Sequence, residues 1–139
     1  MLQTVTEQFV REGFGYYLNA RNLDAFFALY AEDARYPSLA RMGLPTNKEG
    51  FRAFVNGFYT AFSEPRFAPQ RILCDGDTTM FRWIFSGTHT GDFNGIKPTG
   101  KPVQIDAFST FRVDTSGQVV EQHEVGDTLT LLKQIGALP

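Results

Sequence analysis

Cysteine occurs once in this chain of 139 residues, as Cys74. No internal disulfide can form, and one cysteine with two widely separated histidines, His89 and His123, does not make a zinc cluster. The expectation is a reducing, cytoplasmic setting with no metal. A basic surplus is also missing: 13 Lys and Arg stand against 15 Asp and Glu, for a net charge of −2. With no basic patch to meet a phosphate backbone, a nucleic-acid partner is excluded. No apolar run reaches the roughly 18 residues a membrane helix needs, so no membrane partner is expected. The start, MLQTVTEQ, lacks the basic and apolar regions of a signal peptide. There is no repeat, low-complexity tract or linker, and the length suits a single domain over residues 1–139.

What is abundant is phenylalanine, 14 residues. Aromatic richness on this scale suits a packed interior or a pocket for a flat apolar ligand.

The first half of the chain carries helical periodicity. Val5, Phe9, Gly13, Tyr16, Tyr17 and Ala20 mark a helix over residues 3–20. Asn22 caps a second helix with an apolar stripe of Leu23, Phe26, Phe27 and Tyr30, ending near Asp33. After an irregular stretch with Pro37, Gly43 and Pro45, Thr46 and Glu49 form a capping box. They open a third helix reaching Phe62, with Phe51, Phe54, Val55 and Phe58 on one side. From Arg66 onward the pattern changes to strands, at 67–74, 78–89, 102–113 and 118–126. Tight turns fall at Asp75-Gly76-Asp77 and Ser116-Gly117, and residues 90–101 make a longer hairpin loop. A short helix from Asp127 to Gln134 ends before Gly136. Helices followed by an antiparallel meander give an α+β class.

The segment GTHTGDFNGIKPTGK at 87–101, the FRV at 111–113 and the ending VVEQHEVGDTLTLLKQIG at 119–136 resemble the SnoaL-like polyketide cyclases of the nuclear transport factor two-like superfamily. The stretch YYLNARNLDAFFALYAEDA at 16–34 resembles that family's opening helices. The resemblance implies a cone-shaped, cystatin-like α+β barrel: a strongly curved antiparallel or mixed sheet packed on three N-terminal helices, with a deep apolar pocket. It implies a homodimer and cofactor-free acid–base chemistry, in which an enolisable polyketide loses a proton and closes a ring by aldol attack. The family's principal acid/base is an aspartate just before the final helix, which maps to Asp127. A second polar residue, often histidine, maps to Ser109. A tryptophan position four residues before the aspartate is occupied by His123.

The residues also have plainer readings. Asp127 before TLTLLKQ is a natural helix cap, and a cap at a pocket rim is compatible with a base. On an unbroken extended strand Val119, Glu121, His123, Val125 and Asp127 share one face, so His123 and Asp127 are expected to look the same way. His123 then either shuttles a proton beside the pocket or is an ordinary strand histidine. Ser109 shares a face with Ile105, Ala107, Phe111 and Val113 and is expected in apolar surroundings. His89, between Gly87 and Gly91, is expected to brace its loop. That loop lacks P-loop spacing and joins two strands, so nucleotide binding is not expected of it. Two functions follow. One is an acid–base enzyme working beside a carbonyl, as cyclase, isomerase or lyase, with Asp127, His123 and Ser109 at its site and a small apolar or aromatic ligand. The other is a non-catalytic binding protein with the same pocket.

Overall fold

A computed structural model describes residues 2–139, with side chains from residue 7 onward. The element order is α1 (Leu2–Glu12), a wide turn of π-helix (Gly13–Tyr17), α2 (Leu23–Phe27), β1 (Tyr30–Arg35), a 3-10 segment (Pro37–Met42), α3 (Lys48–Ala61), β2 (Phe62–Asp75), β3 (Thr78–His89), β4 (Pro102–Val113), β5 (Val119–Gly126) and α4 (Thr128–Gln134). The strands form one curved mixed sheet in the order β1-β5-β4-β3-β2. Only β1 with β5 is parallel; the other three pairings are antiparallel. The N-terminal helices and the short C-terminal helix complete the α+β architecture expected from the pattern. Among the described residues no helix is long and apolar enough to cross a membrane.

Alternation along the strands decides what lies inside. On β4, Val103, Ile105, Ala107, Ser109, Phe111 and Val113 are buried, while the residues between them are more exposed. On β3, Phe81, Trp83 and Phe85 point the same way. Phe9 and Phe14 of the first helical stretch meet this face: Phe9 contacts Phe111 edge-on at 4.5 Å and Phe14 contacts Phe81 at 4.9 Å. Phe51 of α3 stacks on Tyr36 at 4.6 Å. Much of the phenylalanine therefore goes into the packing between helices and sheet. The side chain of Val5 lies outside the described residues.

Two local readings change. The second helix stops at Phe27, and Tyr30–Arg35 is a strand beside β5. Leu23, Phe26, Phe27 and Tyr30 fit a helical stripe, but tertiary pairing with β5 takes Tyr30, whose ring is still buried. The α3 cap is Asn47, not Thr46: its Oδ1 accepts from Gly50 N at 3.0 Å. Helix α3 runs directly into β2, where register shifts between Ser63 and Arg66 and between Pro69 and Ile72 bend the long strand.

Loop 90–101 is tied down at both ends. His89 N donates to Lys101 O and Gly100 N donates back to His89 O. Thr90 N and Gly91 N both donate to Ala61 O at the end of α3. Gly91 lies so close that a Cβ on it would fall 2.1 Å from Thr60 O. Gly91→Ala should therefore cost about 1–3 kcal/mol of stability. Gly57→Ala, in an exposed stretch of α3 with nothing near the new methyl, should instead add roughly 0.5–1 kcal/mol. Urea denaturation of both variants checks the pair.

A candidate acid–base pocket

A cavity of about 650 Å³ opens between α3, loop 90–101 and the inner face of β3–β5. Its wall is aromatic and aliphatic: Phe54 and Phe58 of α3, Trp83 and Phe85 of β3, Ile105 and Ala107 of β4, Phe93 of the loop and Leu131 of α4. Asp92, Asn94, Met42 and Thr128 stand at its exposed mouth. On the inner wall one ionisable group breaks the apolar lining, the carboxyl of Glu124, which is only 6% exposed.

An irregularity in the sheet turns Glu124 inward. Leaving the Asp114–Gln118 turn, Val113 pairs with Val119, yet Arg112 pairs with Glu121. Val120 is an extra residue, a bulge that reverses which side chains of β5 face the interior. Beyond it Phe111 lies opposite Gln122, Ser109 opposite Glu124 and Ala107 opposite Gly126. Without the extra residue Ser109 would face His123. The expectation of one face shared by Val119, Glu121, His123, Val125 and Asp127 breaks at the bulge: Val119 is buried together with Gln122 and Glu124, whereas Glu121 and His123 are half-exposed and Val125 and Asp127 are exposed.

A chain of hydrogen bonds holds the carboxyl. Trp83 Nε1 donates to Ser109 Oγ at 2.9 Å, and the Ser109 hydroxyl donates to Glu124 Oε2. Gln122 Nε2 donates to Glu124 Oε1, and Tyr30 OH donates to Gln122 Oε1. Glu124 N donates to Ser38 Oγ at 3.0 Å, anchoring the strand to the 3-10 segment. The side-chain donors all run toward Glu124, as an ionised carboxylate requires. Burial nevertheless pushes the Glu124 carboxyl up to about 7, against the opposing pull of the Ser109 and Gln122 hydrogen bonds. Burial raises Tyr30 and Tyr36 as well, and the nearby Glu124 charge adds to both shifts. Both phenols thus remain neutral, and the Tyr36 hydroxyl is buried without a hydrogen-bond partner.

The three residues singled out from the sequence lie in different surroundings. Ser109 is inside, at the centre of the network. Asp127 caps α4: its Oδ1 accepts from Thr130 N at 3.1 Å and its Oδ2 from Thr130 Oγ1 at 2.6 Å. These bonds hold its carboxyl below the usual range, and it does not line the cavity. His123 lies on the outer side with Nε2 3.2 Å from Glu121 Oε2. His89 is fully buried at the base of its loop, its Nδ1 3.0 Å from Thr99 Oγ1. Arg82 pairs with Asp106 at 2.7 Å on the outer face. Glu124 is the residue that strand periodicity missed. Its cross-strand neighbour gave no signal from the sequence: the register set by the turn places His123 opposite Ser109, and only the bulge brings Glu124 there. Among the described residues no group of three or more His, Cys, Asp or Glu is placed to hold a metal.

Comparison with known proteins gives a consistent picture of the fold. The family model described as SnoaL-like polyketide cyclase matches residues 5–135. AclR, a putative hydroxylase from Streptomyces galilaeus, superposes with a TM-score of 0.82 at 22% identity, over 99% of this chain and 97% of that one. IdmH, a putative polyketide cyclase from Streptomyces antibioticus, gives 0.76 at 27% identity, over 89% and 94% of the two chains. A putative SnoaL-like polyketide cyclase from Jannaschia sp. CCS1 gives 0.82 at 20% identity, over 98% and 94%. None of the curated proteins matches the chain.

The raised Glu124 carboxyl fixes the sign of a stability effect. The folded chain holds this proton up to about pH 7, while the unfolded chain releases it in the ordinary carboxylate range. Its contribution to stability is complete below that ordinary range and is lost as pH rises to about 7. Glu124→Gln keeps the shape and removes the titration. Its stability relative to the unaltered protein should rise through that window and level off above it, as followed by denaturation at a series of pH values.

Proposed function

The chain belongs to the SnoaL-like polyketide cyclase family, and from that membership and the cavity's geometry we propose that it is an acid–base enzyme acting on a C–H next to a carbonyl in an apolar ligand. Glu124 is the base. The observation that carries this reading is a single carboxyl in an otherwise apolar cavity wall, poised at about 7 by burial. A base poised near neutrality is ionised often enough to take a proton and is still strong enough to drive the transfer. Ser109 and Gln122 fix its two oxygens, and Trp83 fixes Ser109. Ser109 is thus a positioning residue. Asp127 serves as the α4 cap, and His123 stays outside the reaction. Ring closure, isomerisation and elimination all begin with this proton removal; the polyketide ring closure of the family is the favoured outcome.

The hydrogen bonding of Glu124 also favours a second reading. Both of its oxygens already accept bonds from inside the protein, as in a binding protein whose polar network only shapes the cavity. Solvent deuterium exchange next to the carbonyl of 2-tetralone, followed by NMR, separates the two. The enzyme reading expects catalysed exchange that rises with pH through about 7 and then levels off, because the ionised form is the base. Glu124→Gln should lower it by roughly 10²–10⁴-fold while 2-tetralone still binds. Asp127→Asn, which preserves the cap, should leave it unchanged. Exchange that survives Glu124→Gln, or that is lost in Asp127→Asn, overturns the assignment.

We also propose that a second copy of the chain covers the outer face of the sheet. There Met80, Phe108 and Val125 are each more than half exposed, and Phe108 lies opposite Val125 on the neighbouring strand. The same face carries Arg82 and Asp106, charges that a second copy in two-fold contact can complement. Light scattering should report a dimer, and Phe108→Asp should shift it to monomer.

A further inference from the structure

Taking a proton from carbon leaves negative charge on the neighbouring carbonyl oxygen, and in an apolar chamber that charge needs a hydrogen-bond donor. None of the residues lining the cavity is Lys, Arg or His, and Thr60, Asn94 and Thr128 of the lining are exposed to water. Deeper in, the polar side chains around Glu124 are already engaged. Trp83 Nε1 is held by Ser109, the Ser109 hydroxyl and Gln122 Nε2 by Glu124, and Tyr30 OH by Gln122. Tyr36 is the exception. Its hydroxyl is buried and has no hydrogen-bond partner, an arrangement that costs stability with no return in the fold itself. Among the described residues one other buried side-chain atom is in this state, His89 Nε2. It lies far from the carboxyl: Phe81 is registered with Ser109, Ser109 with Glu124, and His89 follows Phe81 by ~26 Å of strand.

We propose that the Tyr36 hydroxyl is the hydrogen-bond donor to the ligand's carbonyl oxygen, and to the enolate formed when Glu124 takes the proton. This role rests on the reading above that Glu124 is the base. The hydroxyl is close enough to Glu124 to feel its charge, and the oxygen in question is only two bonds from the carbon that Glu124 attacks. Tyr36 does not itself line the open chamber, so it meets only a ligand seated deeply enough to bring its reacting carbon to Glu124. Its ring is fixed in place, stacked on Phe51 at 4.6 Å and tilted against Tyr30 at 5.5 Å. Tyr36 N donates to Thr46 O at 2.9 Å, and two residues on, Ser38 Oγ accepts from Glu124 N at 3.0 Å. A donor held this way needs no reorganisation as the charge develops. In the step, the C–H electron pair becomes the C–C double bond and the carbonyl pair moves onto oxygen. The proton passes to Glu124, which returns it to carbon or exchanges it with solvent. Tyr36 lends its hydrogen bond and keeps its own proton, because burial and then the Glu124 charge push the phenol far above its ordinary range.

Tyr36→Phe in the full chain keeps the ring and removes only the hydroxyl. With 2-tetralone, the high-pH plateau of deuterium exchange should fall on the order of 10²-fold. The midpoint of the rise with pH should stay at about 7, since the base is unaltered. The urea midpoint should be unchanged or higher, since no hydrogen bond within the fold is lost. A binding arm needs no turnover. Tyr36→Phe should weaken 2-tetralone about threefold to tenfold and leave tetralin, the same ring system without the oxygen, unaffected, as followed by NMR titration. An unchanged plateau, a plateau retained with a shifted midpoint, or equal effects on 2-tetralone and tetralin overturns the proposal. If Glu124→Gln abolishes exchange while Tyr36→Phe changes neither exchange nor binding, the donor falls and the base stands. If exchange survives Glu124→Gln while Tyr36→Phe lowers the plateau and weakens 2-tetralone alone, the donor stands and the base falls.

Discussion

The pairing of Ser109 with Glu124 across β4 and β5 organises this molecule's interior, and it depends on one inserted residue. Val120 shifts the register by a single position. Because side chains alternate across a sheet, that shift exchanges two whole sets of residues between interior and exterior. Gln122 and Glu124 go in; His123 and Val125 go out. The interior thereby gains a carboxyl and one partner for it, Gln122, and sets that carboxyl opposite the Ser109 that Trp83 holds. The exterior gains a strip of apolar and charged side chains that the helices do not cover.

A buried carboxyl is costly unless its oxygens are satisfied. Here the satisfying groups are supplied in sequence-distant pieces: Tyr30 from β1, Trp83 from β3, Ser109 from β4 and Gln122 from β5 itself. Two opposing influences then meet at Glu124. Desolvation raises its affinity for a proton, and the donated bonds lower it, leaving the group near neutrality. Neither influence alone gives that result. A fully satisfied carboxylate would be a weak base, and an unsatisfied one would stay protonated at ordinary pH.

The class and most of the architecture were legible because they rest on local signals. Alternation on β3 and β4, the turns at Gly76 and Gly117, the loop of residues 90–101 and the cap at Asp127 all reappear in the structure. Strand β1 was not legible, since Tyr30–Arg35 continues an apolar stripe that a helix would also use and is held extended by a partner about ninety residues away. The inward position of Ser109 followed from periodicity on an unbroken strand. Glu124 did not, because a bulge has no local signature in VVEQHEV: each residue there is an acceptable strand residue in either register. Family resemblance directed attention to Asp127, three residues further on, where a carboxylate is equally plausible but faces solvent.

The loop over the cavity has a consequence for how such a protein diversifies. Its two ends are clamped to one another at His89 and Lys101, and its first turn is clamped to the end of α3 at Ala61. Everything between Asp92 and Thr99 therefore hangs from a closed ring whose anchor points do not depend on what the ring contains. Lengthening a loop that is already closed adds little entropic cost, since that cost grows only with the logarithm of length. The ceiling of the cavity, including Phe93 and Asn94, is in effect an interchangeable part: insertions there can reshape the chamber for new guests while the sheet, its register and the buried carboxyl stay as they are.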